Sequence, residues 1–173
     1  MVHENVMAEA RSFMKSRVVL TAAELDFFTH LDEKPSTARE LADTLALDLR
    51  ATTRVLDCAV AMGFLNKDNA VYRVTEEGAY LSSRHPETVL PMVLHLGHLW
   101  VTWSGLTDIV RRGSGSQRGF GLKFNEVEWK AFVGAMHVAA RGLSIATAET
   151  YDAVRFKKLL DVGGASGTYT IAF

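Results

Sequence analysis

The sequence predicts a mainly α-helical chain with one small β-element and a nucleotide-type loop near residue 165. Three observations carry that expectation. Apolar residues recur at helical spacing through most of the 173 residues. Residues 64–74 read as two short apolar runs around a polar turn, as in a hairpin. The stretch Leu159-Leu160-Asp161-Val162-Gly163-Gly164-Ala165-Ser166-Gly167-Thr168 passes from apolar residues through an acid into glycines, and Tyr169 to Phe173 then opens a helix. A strand that turns into a helix in this way suits a nucleotide. Its glycines let the backbone turn tightly and approach the ligand, and the helix start offers free N–H groups.

Composition narrows the classes. Apolar residues make up 48% and charged residues 23%, which is globular rather than disordered. A net charge of −1 gives no overall drive toward nucleic acid or an anionic membrane. The only cysteine, Cys58, excludes an internal disulfide and a cysteine zinc cluster, and is expected as a small buried apolar residue. Met1 to Lys15 mixes Glu, Arg and Lys with apolar residues, unlike a secretory signal. Val89 to Trp103 is the most apolar stretch, but Pro91, His95, Gly97, His98 and Thr102 interrupt it and it is too short for a bilayer. The expectation is a soluble, cytoplasmic protein without a membrane partner.

Val6, Met7, Ala10, Phe13 and Met14, continued by Leu20, Ala23, Phe27, Phe28 and Leu31, predict one long or two consecutive helices. They carry more bulky apolar side chains than a small domain needs, so a partner chain is expected to cover the excess. Pro35-Ser36 breaks the pattern, and Thr37-Ala38-Arg39-Glu40 is a capping box opening a helix through Leu45. Asp48 caps the next helix, with Val55, Leu56, Ala59, Val60 and Met62 apolar and Gly63 at its end. Phe64-Leu65, the turn Asn66-Lys67-Asp68-Asn69 and Val71 to Val74 form the hairpin. Thr75 caps a short helix bearing Glu76 and Glu77. Three helices and a hairpin make a winged helix. Helical spacing resumes from Pro86 to Arg112 with an interruption expected around His95 to His98. Gly113 to Gly121 reads as a flexible loop. Asn125 with Glu128 caps a further helix whose apolar face would be Val127, Phe132, Val133, Met136 and Ala140, with a bend at Gly142. Arg155 to Lys158 leads into a strand at Leu159.

With these segments in this order, the chain resembles the SAM-dependent O-methyltransferases of the plant caffeate type and their bacterial small-molecule relatives. The resemblance rests on several segments. They are Ala23 to Phe28, Thr37 to Ala42, Arg54-Val55-Leu56 followed by Met62 to Leu65, and Tyr72 to Thr75 with Gly78. Trp103 with Leu106, Phe132 with Met136, and Asp161 to Gly167 complete it. It implies a winged-helix dimerisation domain at residues 1–85, linking helices and an acceptor-pocket wall at 86–157, and the start of a Rossmann-like SAM-binding domain at 158–173. It further implies an intertwined homodimer, S-adenosyl-L-methionine as cofactor, and a small hydroxylated acceptor, aromatic or polyketide-like. Asp161, Gly163, Gly164 and Gly167 would belong to the SAM loop, with Gly163 nearest the methionine portion and Asp161 bracing it. Ala165 departs from the commoner third glycine. Phe132, Met136 and Trp103 would line the acceptor pocket. The resemblance places the catalytic base and most of the sheet beyond residue 173, so no catalytic residue is expected within this sequence, and these residues alone are not expected to be active.

Two other readings were open to the residues. A winged helix can read DNA, and Arg50, Thr52, Thr53, Arg54 and Lys67 stand where such contacts are made, although Asp48, Asp57 and Asp68 crowd them. His95 and His98, three apart, have the spacing of a metal pair but lack an accompanying carboxylate or cysteine, so pocket lining or plain helix positions suit them better.

Overall fold

A computed structural model describes residues 2–113 and 124–173; apart from Gly113, the expected glycine-rich loop lies outside the described residues. Two compact units emerge, Met1–Val93 and Leu94–Phe173.

The first unit begins with α1 (Val2–Glu24) and α2 (Phe27–Glu33), parted by Asp26 in the left-handed conformation at φ 55°. Asp tolerates that region better than most residues, so the chain turns here without a glycine. Two turns up α1 from Glu24, the Arg17 guanidinium donates to both carboxylate oxygens of Glu24, at 3.2 and 2.8 Å. Next come β1 (Ser36–Thr37), α3 (Ala38–Leu45), α4 (Leu49–Ala61), β2 (Leu65–Asp68), β3 (Val71–Val74) and α5 (Glu76–Ala79). The capping box forms as read: Thr37 Oγ1 accepts from the Glu40 N–H at 3.2 Å, and the Thr37 N–H donates to Glu40 Oε2 at 2.8 Å. Asp48 Oδ1 accepts from the Ala51 N–H at 2.7 Å to open α4.

The sheet is antiparallel throughout, in the order β1-β3-β2, with Ser36 opposite Tyr72 and Leu65 opposite Val74. Its inner face, Leu65 and Tyr72, closes over Phe27, Phe28 and Leu31 of α2, Leu41 of α3, and Leu56 and Ala59 of α4. Each such Phe or Leu stabilises the unit by roughly 1.5–3 kcal/mol relative to exposure.

Two departures from the sequence reading occur here. The hairpin turn is not Asn66 to Asn69. β2 continues to Asp68, and Asn69-Ala70, both at positive φ (47° and 66°), make a two-residue turn. Such a turn usually takes Asn-Gly, and Ala70 hides it. Cys58 is exposed, because α4 buries Thr52, Leu56 and Ala59 on one face and leaves Asp57 and Cys58 outside.

The exit of α4 is a Schellman turn. The Phe64 N–H returns to the Ala59 carbonyl and the Gly63 N–H to that of Val60, both at 3.0 Å, with Gly63 at φ 85°. Thr75 then ties α5 to this exit. Its Oγ1 donates to the Gly63 carbonyl at 2.8 Å while accepting from the Gly78 N–H at 2.9 Å. Gly78 presses directly on the Phe64 peptide. A Cβ there would fall 2.9 Å from the Phe64 carbonyl carbon and nearer still to its oxygen.

The second unit takes in most of α6 (Leu90–Ser104), then α7 (Leu106–Arg112), α8 (Glu126–Tyr151), a 3-10 turn (Ala153–Arg155) and α9 (Thr168–Ala172). α6 runs through His95 to His98 without interruption, and the break falls at Gly105 instead. α8 likewise passes Gly142 unbroken, since an isolated glycine costs a helix about 1 kcal/mol and does not end it. Its buried stripe is Ala131, Ala135, Ser144 and Ala148, while Val127, expected on the inner face, is exposed. By length and composition α8 is apolar enough to cross a bilayer, the one such helix among the described residues. The strand expected at Leu159 is absent: residues 156–167 form none, and Leu160 and Val162 are 84% and 86% exposed. A strand exists only by pairing its N–H and C=O groups with a neighbour, and among the described residues of this unit there is none.

The Asp57 carboxylate accepts from Lys67 Nζ and from the Tyr72 hydroxyl, each at 2.7 Å. The Lys67 hydrogen bond, then that of Tyr72, holds its pKa below the ordinary Asp value. A depressed carboxylate contributes stability that is present above its unfolded pKa, about 4, and is lost as pH falls through the folded value. Urea denaturation of Asp57→Asn against the native chain should therefore show the two stability profiles converging below about pH 4, with the native chain more stable above it. Gly78→Ala must displace the Phe64 backbone. A loss of about 2 kcal/mol or more is expected, seen as a lower urea midpoint at unchanged slope.

Candidate functional site

The loop from Asp161 to Gly167 is shaped by three residues at positive φ: Gly163 at 75°, Ala165 at 46° and Gly167 at 68°. The Gly167 N–H closes the turn on the Gly164 carbonyl at 2.7 Å. The Asp161 carboxylate folds back over Gly164, where a Cβ would lie 2.7 Å from its Oδ1, and accepts from the Thr170 hydroxyl. Asp161 therefore braces the loop against the first turn of α9. Above Gly163 and Gly167 the space is open, with nothing within 4 Å of a built Cβ. Those open faces fit a cofactor that must approach the backbone closely. Ala165, in place of a third glycine, occupies the left-handed region, where a methyl group costs roughly 1–2 kcal/mol in conformation.

Thr168, at the start of α9, is buried. Its Oγ1 lies 2.6 Å from Ser166 Oγ and 2.8 Å from His137 Nδ1 of α8. His137 is thereby committed to anchoring the loop's exit on α8, a link that sequence spacing alone does not reveal.

A second cluster is aromatic. Phe132, half-buried on α8, stacks on Phe124 with centroids 5.2 Å apart and 23° between planes. Trp129 tilts against it at 5.8 Å, and His95 of α6 meets it edge-on at 5.4 Å. Met136, one turn further along α8, is also half-buried. Trp103 is 68% exposed, and among the described residues no ring contact joins it to this group. Phe124 and Trp129 were missed in the sequence. They flank the Asn125 cap, and Trp129 stands three residues before Phe132, the spacing that puts two rings on one helix face.

The features of a DNA reader do not assemble. Thr52 is buried, Thr53 Oγ1 is spent on the Leu49 carbonyl at 2.7 Å, and Lys67 is paired with Asp57. Arg50 and Arg54 remain as exposed cations on α4. Among the described residues no group of three His, Cys, Asp or Glu side chains is placed to hold a metal ion.

On α1, Val6, Met7, Phe13 and Met14 are exposed. Val6 with Phe13, and Met7 with Met14, stand seven residues apart, close to two full turns, so the four form one apolar stripe.

Comparison with known proteins agrees with this arrangement. Residues 7–84 match the O-methyltransferase dimerisation domain family. The chain is 30% identical over 170 residues to the tetracenomycin polyketide synthesis 8-O-methyl transferase TcmO of Streptomyces glaucescens, covering 94% of this chain and 50% of that protein. It is 30% identical over 166 residues to the O-methyltransferase SfmM3 of Streptomyces lavendulae, covering 90% and 49%. The chain thus spans about half the length of these relatives. Human N-acetylserotonin methyltransferase in complex with SAM superposes with a TM-score of 0.80 at 25% identity, over 99% of this chain and 55% of that one. A dimerisation-domain match, a glycine loop and similarity over nearly the whole of this chain coincide, and the chain is similar to SAM-dependent O-methyltransferases.

Proposed function

We propose that this chain forms the dimerisation and acceptor-lining portion of a SAM-dependent O-methyltransferase for a small hydroxylated acceptor, aromatic or polyketide-like. The observation that carries the reading is the presence, in one chain, of the dimerisation domain and the Asp161 to Gly167 loop with open faces at Gly163 and Gly167. In this reading residues 1–85 are a winged helix used for pairing two chains, 86–157 link it to the pocket wall, and 158–173 begin the cofactor domain. The helix order and three-stranded sheet of the first unit support the winged-helix description. The apolar stripe of α1 supports a homodimer, because a lone chain leaves it in water.

Bound SAM would supply an electrophilic methyl group on a sulfonium. The chain's own residues have simpler tasks. Gly163 and Gly167 leave the backbone open to the cofactor, while Gly164 makes room for the Asp161 carboxylate that holds the loop's shape. Phe132, Met136 and Trp103 present apolar surface to the acceptor, which excludes water and orients the hydroxyl. The polyketide named for one relative supports an acceptor of that type. His137 is engaged by Thr168 and acts as a structural tie, and no residue of this chain is assigned as the base. A DNA-binding regulator is not favoured: Thr52 is buried, Thr53 and Lys67 are already bonded, and Arg50 with Arg54 alone are too few cations for a phosphate footprint.

Because Leu159 to Val162 has no paired neighbour among the described residues, the loop is not held rigid from its strand side. Calorimetric titration of SAM into the 173-residue protein is expected to show no binding tighter than roughly 10 μM, and submicromolar binding would contradict that part of the reading. Sedimentation equilibrium should find a dimer. Phe13→Glu should raise the dimer dissociation constant by about tenfold or more with an unchanged circular dichroism spectrum. A native chain that sediments as a monomer would sink the assignment of α1.

A further inference from the structure

The backbone from Leu159 to Val162 is an open edge. Among the described residues, none of its N–H or C=O groups takes part in a backbone hydrogen bond. Its apolar side chains are equally uncovered, with Leu159, Leu160 and Val162 54%, 84% and 86% exposed. In an extended chain successive side chains take opposite faces, so apolar residues at 159 and at 160 call for cover on both faces at once. That is the pattern of a strand inside a parallel sheet. Two grooves, of about 360 and 230 Å³, share Leu159, Leu160 and Phe173 as walls. The first runs on to Tyr151 and Phe156, the second to Asp161 and Tyr169.

We propose that Leu159 to Val162 is a docking strand, taking parallel strands of a second polypeptide along both of its edges, and that this docking makes the Asp161 to Gly167 loop competent for SAM. The second clause rests on the methyltransferase reading above, and the first does not. A bilayer is excluded as the occupant, because lipid offers no partner to an open backbone edge. A second copy of this chain has only one such strand to offer, and an isolated pair of strands is marginal in water. The occupant therefore brings at least two strands and the apolar cover for both faces. The relatives give the scale. This chain covers 50% of TcmO and 49% of SfmM3, which leaves in each about as much chain again. In such strand addition, main-chain hydrogen bonds supply affinity and side-chain pockets set the register. Docking and cofactor binding are then linked. Pairing fixes the residues that lead into Gly163, so SAM meets a loop held both by its strand and by the Asp161 to Thr170 bond. The linkage is reciprocal, and SAM tightens the docking by the same factor.

The test co-expresses the 173-residue protein with the part of TcmO that it does not match and, separately, with the corresponding part of SfmM3. Association is measured by sedimentation, and pairing by hydrogen exchange at the Leu159, Leu160 and Val162 amides. A complex is expected with at least one of the two segments, with exchange at these amides slowed by at least tenfold. Leu160→Pro removes an N–H that a strand paired on both edges must use, and Val162→Glu puts a charge on a covered face. Each should weaken association by about tenfold or more. Both positions are exposed in the lone chain, so its circular dichroism spectrum should not change. Cys58→Ser, on the other unit, should leave association within about twofold. In the complex SAM should bind at least tenfold more tightly than to the lone chain, and saturating SAM should tighten association by the same factor. Failure of both segments to associate would overturn the proposal. So would a complex in which these amides exchange as fast as before, or one that both variants leave unweakened. A complex that protects the strand but binds no SAM would refute the methyltransferase reading and leave the docking strand standing, so the two failures are distinguishable.

Discussion

The first unit depends on one close approach. α5 can sit over the exit of α4 only because Gly78 brings its backbone against the Phe64 peptide, a space in which no side chain fits. Thr75 fastens the same point from both directions, donating to the Gly63 carbonyl and receiving the Gly78 N–H. The Schellman turn at Gly63 aims the chain into β2, so the end of α4, the start of the hairpin and α5 are all set by a few consecutive peptides. From that junction the sheet can close over Phe27, Phe28 and Leu56, and α2 is held in turn. Without it the hairpin and the helices would have no common register.

The second unit is assembled differently. It rests on a stripe of small residues along α8 and on one polar tie, His137 to Thr168, that joins α8 to α9. Many of its large apolar side chains, Leu160 and Val162 among them, face water. The loop's local shape survives because it comes from backbone conformation at Gly163, Ala165 and Gly167 and from the Asp161 brace, which are local properties. The strand before it does not form because a strand is a property of its neighbours. One ten-residue stretch therefore shows both a feature its own sequence determines and one it does not.

That division explains how far the fold and site were legible from residues alone. Caps were readable because they are short-range: Thr37 with Glu40, Asp48 with Ala51 and Asn125 with Glu128 bond within three residues, as their spacing requires. Glycine positions were harder, since the sequence does not say whether a glycine bends a helix or is simply carried in it. Gly142 is carried and Gly105 marks the break. The hairpin turn hid behind Ala70, a residue with a low intrinsic preference for its conformation. Around the candidate site, the glycine run and the apolar face holding Phe132 were legible in the residues. Phe124, Trp129 and the His137 tie required tertiary contact to appear, because nothing local distinguishes a histidine with a partner from one without.

The exposure of Cys58 carries a practical consequence. It is the only thiol in the chain, it lies on the outer face of α4, and the core neither covers it nor depends on it. A spin label or fluorophore attached there would occupy a single defined position on α4. Two chains brought together would then carry a matched pair of reporters, and the distance between them would give the arrangement of the protomers directly in solution.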